Sequence, residues 1–561
     1  MKNIYKKSFL TFLLSLSFCA GAPCAAPEGD AVFKAMNDEM GRSVNKLKMD
    51  NLQKPYFMAY TVSEGSSCYI SATFGSIEAF YSYPYRRLKA EVRVGDKKFD
   101  NTNYLGNAWG EYRPSVDYNV ALDDNYDSLR FSIWSLTDSA YKDALDTYSK
   151  KKAFKESKNI TELYDDLTFE PVYTVFLPAA AERLDEKLWQ ERLKKLSAVF
   201  TGYPAVKYSQ AALSYDSGGI RFVNSEGTAF KKPYCSGSIN IDGETYSPDG
   251  YKLRASARYG FCGAADLPSF ETIVKKAEEI AMRLTAMSKS VQMKAYIGPV
   301  LFEENAAAKF FDNFFVRNVA NPREIWKETN KWSTDYIYRR AGELVERLDM
   351  RVMPPFLNVV DDPFAKDYNG EALMGHYEVD DEGVPARKLK LVEKGKLKDI
   401  YRYRAATRDF NSSNGHGRGE YHEFVSGGPG NIFIQPEDNP ARVMPFSELK
   451  KKFLDLCREQ ELEYCLLVRD IGSFYGSFSA YKVYPADGHE EPVHAIEFIG
   501  AGLRALRDIV AVSKEMKIYN LTWTPPASLV APSILVQEME IKKTEDKPDR
   551  TPYLEHPFFA K

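Results

Sequence analysis

The chain predicts an α+β protein of two domains, an N-terminal antiparallel sheet with helices followed by a β-rich C-terminal domain. Three observations predict it. Strand-type alternation and helical periodicity fall in separate clusters, not in the strict succession of a βαβ chain. A break at 288–298, where a helix ends at Met287-Ser-Lys289 and Gly298-Pro299 opens a new unit, divides the chain. The 561 residues, 14% of them aromatic, are enough to fill two cores.

The N-terminus reads as an export signal. Lys2, Lys6 and Lys7 precede an apolar stretch, Phe9 to Ala22, that is short for a bilayer span, and small residues follow up to Ala26. Residues 1–26 are therefore assigned as signal peptide, which implies a periplasmic or secreted protein. Phe18 and Pro23 stand immediately before Cys19 and Cys24 and disfavour a lipoprotein. No later stretch is long and apolar enough to span a membrane, so no integral segment is expected after signal removal.

The N-terminal domain is placed at 27–290. Tyr56 to Val62 and Cys68 to Phe74 read as strands. Leu88, Ala90, Val92 and Val94 alternate with Lys89, Glu91 and Arg93, the pattern of a strand with one buried face. Leu129, Ile133, Leu136, Ala140 and Ala144 share a helical face, and Leu184, Leu188, Leu193 and Leu196 mark another helix. Strands return at about 205–262 around a turn at Asn224-Ser-Glu-Gly227. Ile273, Ala277, Ile280, Ala281 and Leu284 then form an amphipathic helix.

The C-terminal domain is placed at 296–541. It begins with a helix over Ala306 to Val319, is mostly strands from 355 onward, and has one further helix at about 447–459. Glu393-Lys-Gly-Lys396 fits a tight hairpin, with Gly395 supplying positive φ. The charged residues 542–561 read as a mobile tail.

Composition excludes several classes. Loss of the signal removes three lysines and no acid, taking the formal charge from −3 to −6. No basic run points to nucleic acid. Five cysteines lie beyond the signal, Cys68, Cys235, Cys262, Cys457 and Cys465, so at least one thiol is free. None are spaced for a zinc ribbon or a Cys-x-x-Cys redox site. Most read as small buried apolar residues, with room for one bridge in an oxidising compartment.

Few side chains suggest chemistry. Asp380-Asp-Glu-Gly383 is an acidic turn, a pattern that is usually solvated. Arg418, in the glycine-rich run Gly415-His-Gly-Arg-Gly-Glu420, suits a substrate carboxylate or acidic side chain, against the plainer reading of a surface arginine. His416 and His422, with Glu420 and Glu423, form the best alternative metal cluster, although a solvated loop is the plainer reading. His489 and His494 flank Glu490, Glu491 and Pro492 in what looks like an exposed hairpin tip.

The stretch Gly375-His-Tyr-Glu-Val-Asp-Asp-Glu-Gly-Val-Pro-Ala-Arg-Lys-Leu-Lys-Leu-Val-Glu-Lys-Gly-Lys-Leu397 resembles the signature of the TldD/PmbA metallopeptidases. Shorter matches follow the family's order along most of the chain: Asn224-Ser-Glu-Gly227, Gly298-Pro-Val-Leu-Phe302, Gly415 to Glu420 and Val530-Ala-Pro-Ser533. Zinc-bearing members carry a helical His-Glu-x-x-x-His motif after the Gly-Pro-Val-Leu-like strand. In this chain Asp312, Asn313 and Arg317 stand at those positions. Asn313 cannot act as the base and Arg317 brings a permanent charge. A late cysteine ligand is missing from Tyr519 to Ser528 as well.

The resemblance therefore implies a family member without its own zinc site, and no cofactor is expected. It also implies a dimer, either a homodimer or a heterodimer with a zinc-bearing member, that encloses a cleft for extended or unfolded peptides. Asp381, Glu382, Gly383, Arg418 and Glu420 are the expected substrate-side residues. Two alternatives stand beside this. One is an active peptidase with an unorthodox metal site using Asp312 and His416 or His422. The other is a non-enzymatic envelope structural or interaction protein.

Overall fold

A computed structural model describes residues 29–49, 51–106, 115–178, 184–320, 322–328, 342–419, 425–472, 474, 476–521 and 525–549. Residues 1–26, read from the sequence as a signal, and Glu420, His422 and Glu423 lie outside these residues. The fold is α+β, as expected. The N-terminal sheet has seven strands. In spatial order these are β3 (Ser115–Asp117), β2 (Ser76–Val94), β1 (Pro55–Thr73), β5 (Tyr208–Asn224), β6 (Ala229–Tyr246) and β4 (Thr174–Phe176), with β7 (Lys252–Phe261) also paired to β6. All pairings are antiparallel except that of β4 with β6.

The two strands expected at Tyr56–Val62 and Cys68–Phe74 are one strand. Ser63 to Ser67, which reads as a break, stays paired on both sides. Gly65 opposes Gly218 on β5, and a Cβ on either would lie within about 2 Å of a backbone oxygen across the pair. Glycine here permits close strand packing and does not make a turn.

One face of this sheet carries the helices. Met58, Tyr60, Val62 and Ile70, alternate residues of β1, are buried against them. Helix α1 (Ala31–Lys46), which the sequence reading does not anticipate, is capped by Asp30, whose carboxylate accepts from the Phe33 N–H at 3.1 Å. Helix α2 (Tyr126–Ser157) buries Leu129, Ile133, Ala140 and Ala144 on the predicted stripe. Helices α3 (Glu186–Ala198) and α4 (Phe270–Met287) cover the far half, with all five predicted α4 core residues buried. The other face meets the C-terminal domain: Phe57, Ala59, Phe222 and Phe230 pack with Val379.

The C-terminal domain is a twelve-stranded sheet around one long strand. From β8 (Val291–Gln292), it comprises β9 (Ala295–Phe302), β10 (Leu357–Asp361), β11 (Leu389–Glu393), β12 (Lys396–Leu397), β13 (Asn431–Pro436), β14 (Val443–Met444), β15 (Cys465–Val468), β16 (Phe478–Val483), β17 (Glu490–Ile499), β18 (Ile509–Leu521) and β19 (Ala527–Lys543). β19 pairs with β9, β13, β17 and β18. It runs to Lys543, past the boundary expected at 541. The turn between β11 and β12 has φ of 47° at Lys394 and 74° at Gly395, as the hairpin reading requires. Helix α5 (Glu304–Phe311) passes into a π-helical turn, Asp312–Val316, and ends at Arg317–Val319. Helix α6 (Phe446–Glu459) covers another side of the sheet through Leu449 and Phe453.

Among the described residues two disulfides are formed, Cys235–Cys262 and Cys457–Cys465, where the sequence reading allows for one. Cross-strand and helix-to-strand neighbours bring the Cα atoms to 5.3 and 5.9 Å. Spacing along the chain does not reveal such pairs. Cys68 is free and buried. No helix among the described residues is long and apolar enough to cross a membrane.

Candidate functional site

The acidic turn and the glycine-rich loop meet directly. The Asp381 N–H donates to the Gly417 carbonyl at 2.9 Å, the Gly417 N–H to Asp380 Oδ2 at 3.0 Å, and the Gly419 N–H to Asp381 Oδ2 at 2.9 Å. The turn folds this way because Asp380 Oδ1 also accepts from the N–H groups of Glu382 and Val384, and Gly383 takes φ of 85°. A side chain at Gly383 would press into Thr228 of the N-terminal domain. The usual solvated reading of such a turn does not hold here: Asp380 is fully buried.

What buries it is the charged face of the N-terminal sheet. Lys89 and Arg93, expected on the solvent side of their strand, are 8% and 7% exposed. With Glu91, Phe57, Glu382 and Arg404 they line a cavity of about 20 Å³ under the turn, enough for one water. Lys232 on β6 reaches across the domain boundary. Its Nζ donates to Asp381 Oδ1 at 2.6 Å and to the carbonyls of Val379 and Asp380. Arg404 binds Glu226 of the Asn224–Gly227 turn at 2.6 Å. Sequence reasoning misses Lys232 and Arg404. Only the charge alternation on a strand face hinted that something must answer it.

The electrostatics follow from this burial. Burial pushes the Glu382 carboxyl up to about 8, aided by the adjacent Asp380 carboxylate and opposed by Arg404. Burial pushes Asp380 up to about 6 against the backbone N–H groups that favour its charge. Both carboxylates converge on Gly417, where a Cβ would lie 2.7 Å from Glu382 Oε2 and 3.0 Å from Asp380 Oδ2. Burial also acts on Asp381, but Lys232 and then Arg418 outweigh it and hold its carboxyl below the usual range.

Beyond the turn lies a cleft of about 670 Å³ between the domains. Cross-strand rows of the N-terminal sheet form one wall: Tyr83 with Ser67 and Asp216, and Arg87 with Ser63, Ile220 and Lys232. The Gly65–Gly218 pair lies between these rows and carries no side chains into them. The opposite wall includes Met374, His376, Tyr377, Arg418 and Pro526. Asp381 and Arg418 thus line the cleft, whereas Glu382 lines the small cavity beneath the turn. His376 is half-buried in the cleft wall, its Nδ1 2.9 Å from the Pro363 carbonyl, and burial lowers its pKa.

The histidines offer no metal set among the described residues. His416, read as part of a solvated loop or a metal cluster, is wholly buried. Its ring stacks on Tyr401, and its Nε2 lies 3.4 Å from Asp361 Oδ1, within ion-pair reach but outside hydrogen-bond geometry. Asp361 Oδ2 accepts from Tyr401 Oη and the Gly430 N–H. The letters His-Glu-x-x-x-His do occur once, at His489-Glu-Glu-Pro-Val-His494. They run from a hairpin tip into β17: the His489 ring stacks on Tyr484 at the tip, whereas His494 lies within the strand. His489 is exposed, as expected. His494, read as part of the same exposed tip, is instead buried between Ser290 at 2.8 Å and Asp249 at 2.9 Å.

The helix position that the sequence reading sets against the zinc motif holds an ion pair. Asp312 and Arg317 are five apart, and the π turn bonds the Arg317 N–H to the Asp312 carbonyl, bringing both side chains to one side. The guanidinium Nε and Nη2 each lie 3.2 Å from Asp312 Oδ2. One carboxylate already bound to a permanent cation, with Asn313 beside it, does not fit zinc, which takes imidazole, thiolate or free carboxylate donors.

Fold and site together define a two-domain α+β protein with a cleft between its domains, walled by an acidic turn and a glycine-rich loop. Residues 296–543 match the PmbA/TldA metallopeptidase C-terminal domain. The fold is similar to that of three crystal structures. A proposed modulator of DNA gyrase from Thermotoga maritima has a TM-score of 0.57 and 16% identity over 86% of this chain and 96% of that one. TldE from Thermococcus kodakarensis has 0.56 and 13% over 91% and 100%. A proposed modulator of DNA gyrase from Bacteroides thetaiotaomicron has 0.56 and 12% over 91% and 98%. At these identities the likeness is one of fold. No curated protein matches the chain.

Proposed function

We propose that this is an exported TldD/PmbA-family protein that binds extended or unfolded peptide in its interdomain cleft and has no zinc site of its own. It acts as a peptide-binding partner, completing the cleft of a zinc-bearing family member in a dimer. The observation that carries this is the contrast between two regions. The cleft keeps its acidic turn and glycine-rich loop in mutual contact, while the zinc-motif position holds the Asp312–Arg317 ion pair. Strand backbone and side-chain pockets can hold an extended chain without metal. Hydrolysis in this family needs a metal-activated water, and that chemistry would come from the partner. Export rests on the N-terminal sequence, and an intact Met1 in the natively expressed protein would remove that part.

Purified protein is expected to bind an unstructured peptide without cleaving it, with or without added zinc. Binding is read by fluorescence anisotropy and cleavage by mass spectrometry. Chelator-sensitive cleavage would replace the proposal with a peptidase using another metal set. Absence of binding, cleavage and any recoverable partner would leave a structural role.

Elemental analysis after gentle purification is expected to find zinc well below one equivalent per chain. Stoichiometric zinc that is lost in a His416→Ala/His422→Ala variant would contradict this.

A further inference from the structure

We propose that Arg418 is the carboxylate receptor of the cleft, taking either the free C-terminus or an acidic side chain of the bound peptide. This rests on the peptide-binding reading above and adds the chemistry by which the peptide is recognised.

Five arginines are buried among the described residues, and four of them meet carboxylates. Arg86 pairs with Glu64 and Asp124, Arg93 with Glu91 and Asp100, Arg221 with Asp30 and Glu64, and Arg404 with Glu226. Arg418 differs. It is only 7% exposed, yet no described carboxylate lies within ion-pair distance. Nη2 donates to the Pro526 carbonyl at 3.1 Å, the guanidinium lies over the Tyr377 ring at 4.1 Å, and Nε is buried without an acceptor. The acid beside it in the cleft, Asp381, is already engaged by Lys232 at 2.6 Å and by the Gly419 N–H at 2.9 Å.

A guanidinium cannot shed its charge by deprotonation, so burial without a counter-ion is costly. Tyr377 and one carbonyl fix the plane and direction of the group but do not neutralise it. An arginine that is held in place, lines a cleft and has no ion-paired carboxylate among the described residues is built to receive one. Carboxylate fits the fork geometry of guanidinium and is present on every peptide with a free terminus.

The test uses a short unstructured peptide of Ala, Gly, Ser and Phe in three forms: free C-terminus, amidated C-terminus, and amidated with one internal Glu. Binding to wild type, Arg418→Gln and Arg418→Lys is measured by titration calorimetry, with melting curves as the folding check. Wild type is expected to prefer at least one carboxylate-bearing form over the neutral peptide by about tenfold or more. Which form gains identifies the source of the carboxylate. Arg418→Gln is expected to abolish the preference, so that it binds the three forms alike. If Arg418→Gln fails to fold, Arg418→Lys, which keeps the charge but loses the fork, is expected to lose most of the preference. Equal binding of all three forms to wild type, or equal weakening of all three by substitution, overturns the carboxylate role and leaves peptide binding standing. No binding of any form overturns both.

Discussion

Glu382→Gln is expected to flatten the pH dependence of stability between pH 5 and 8. The folded Glu382 carboxyl is raised to about 8 from an ordinary 4.5, by burial first and the Asp380 carboxylate second. Its contribution to stability is therefore complete below about pH 4.5 and is lost as pH rises through about 8. Across that window the folded state keeps a proton that the unfolded chain has released. One such proton gives a slope near 1.4 kcal/mol per pH unit, so the accumulated loss is on the order of a few kcal/mol. Asp380, raised to about 6, loses its share earlier in the window, and the two carboxyls titrate as a pair.

Glutamine keeps the shape and can still accept the Arg404 N–H, which reaches Glu382 Oε2 at 2.7 Å. It removes the titration. His376 and His494, whose pKa values burial lowers, pull the opposite way near neutrality, so the quantity to compare is wild type against variant at each pH. Urea unfolding at pH 5, 6, 7 and 8 reads it directly. Parallel profiles for the two proteins would mean that Glu382 is ionised in the fold and that burial does not raise its carboxyl.

The parts of the fold legible in the sequence were those in which periodicity alone determines the element. The stripes of α2, α4 and α6 and the hairpin at Lys394-Gly395 are of this kind. The contact between acidic turn and glycine-rich loop also agrees with the expectation that both supply substrate-side residues. What the sequence does not carry is the identity of the covering surface. Alternation at Leu88–Val94 marks two different faces, but says nothing of a second domain burying Lys89 and Arg93. The same holds for His416, buried by Tyr401 and by Asp361, whose Oδ1 it faces from 55 residues away in no periodic relation. Lys232 lies 149 positions from the acid it neutralises, beyond any local pattern. Glycine misleads in the other direction. Gly65 looks like a break and is a close crossing of two paired strands.

Lys232→Met is expected to destabilise the protein by roughly 3–5 kcal/mol, the range for removing one partner of a buried ion pair. The side chains of Lys232 and Asp381 are 8% and 17% exposed, so solvent screens the pair little. Methionine fills similar volume against Phe230, over whose ring the Lys232 ammonium lies at 5.0 Å. The loss is therefore electrostatic rather than a cavity. It leaves the Asp381 carboxylate without its closest cation and the carbonyls of Val379 and Asp380 without a donor. Asp381 also holds the glycine-rich loop through the Gly419 N–H, so weaker peptide binding is expected alongside the lower stability. Adding Asp381→Asn should recover part of the loss, because the uncompensated charge is then gone while an acceptor for Gly419 remains. The double variant is thus expected to be more stable than Lys232→Met alone, a non-additivity that a surface pair does not give. Chemical denaturation of the wild type, both single variants and the double variant completes the cycle. A loss under about 1 kcal/mol for Lys232→Met, the range of exposed pairs, would show that the domains are held together elsewhere and that the acidic turn does not depend on this lysine.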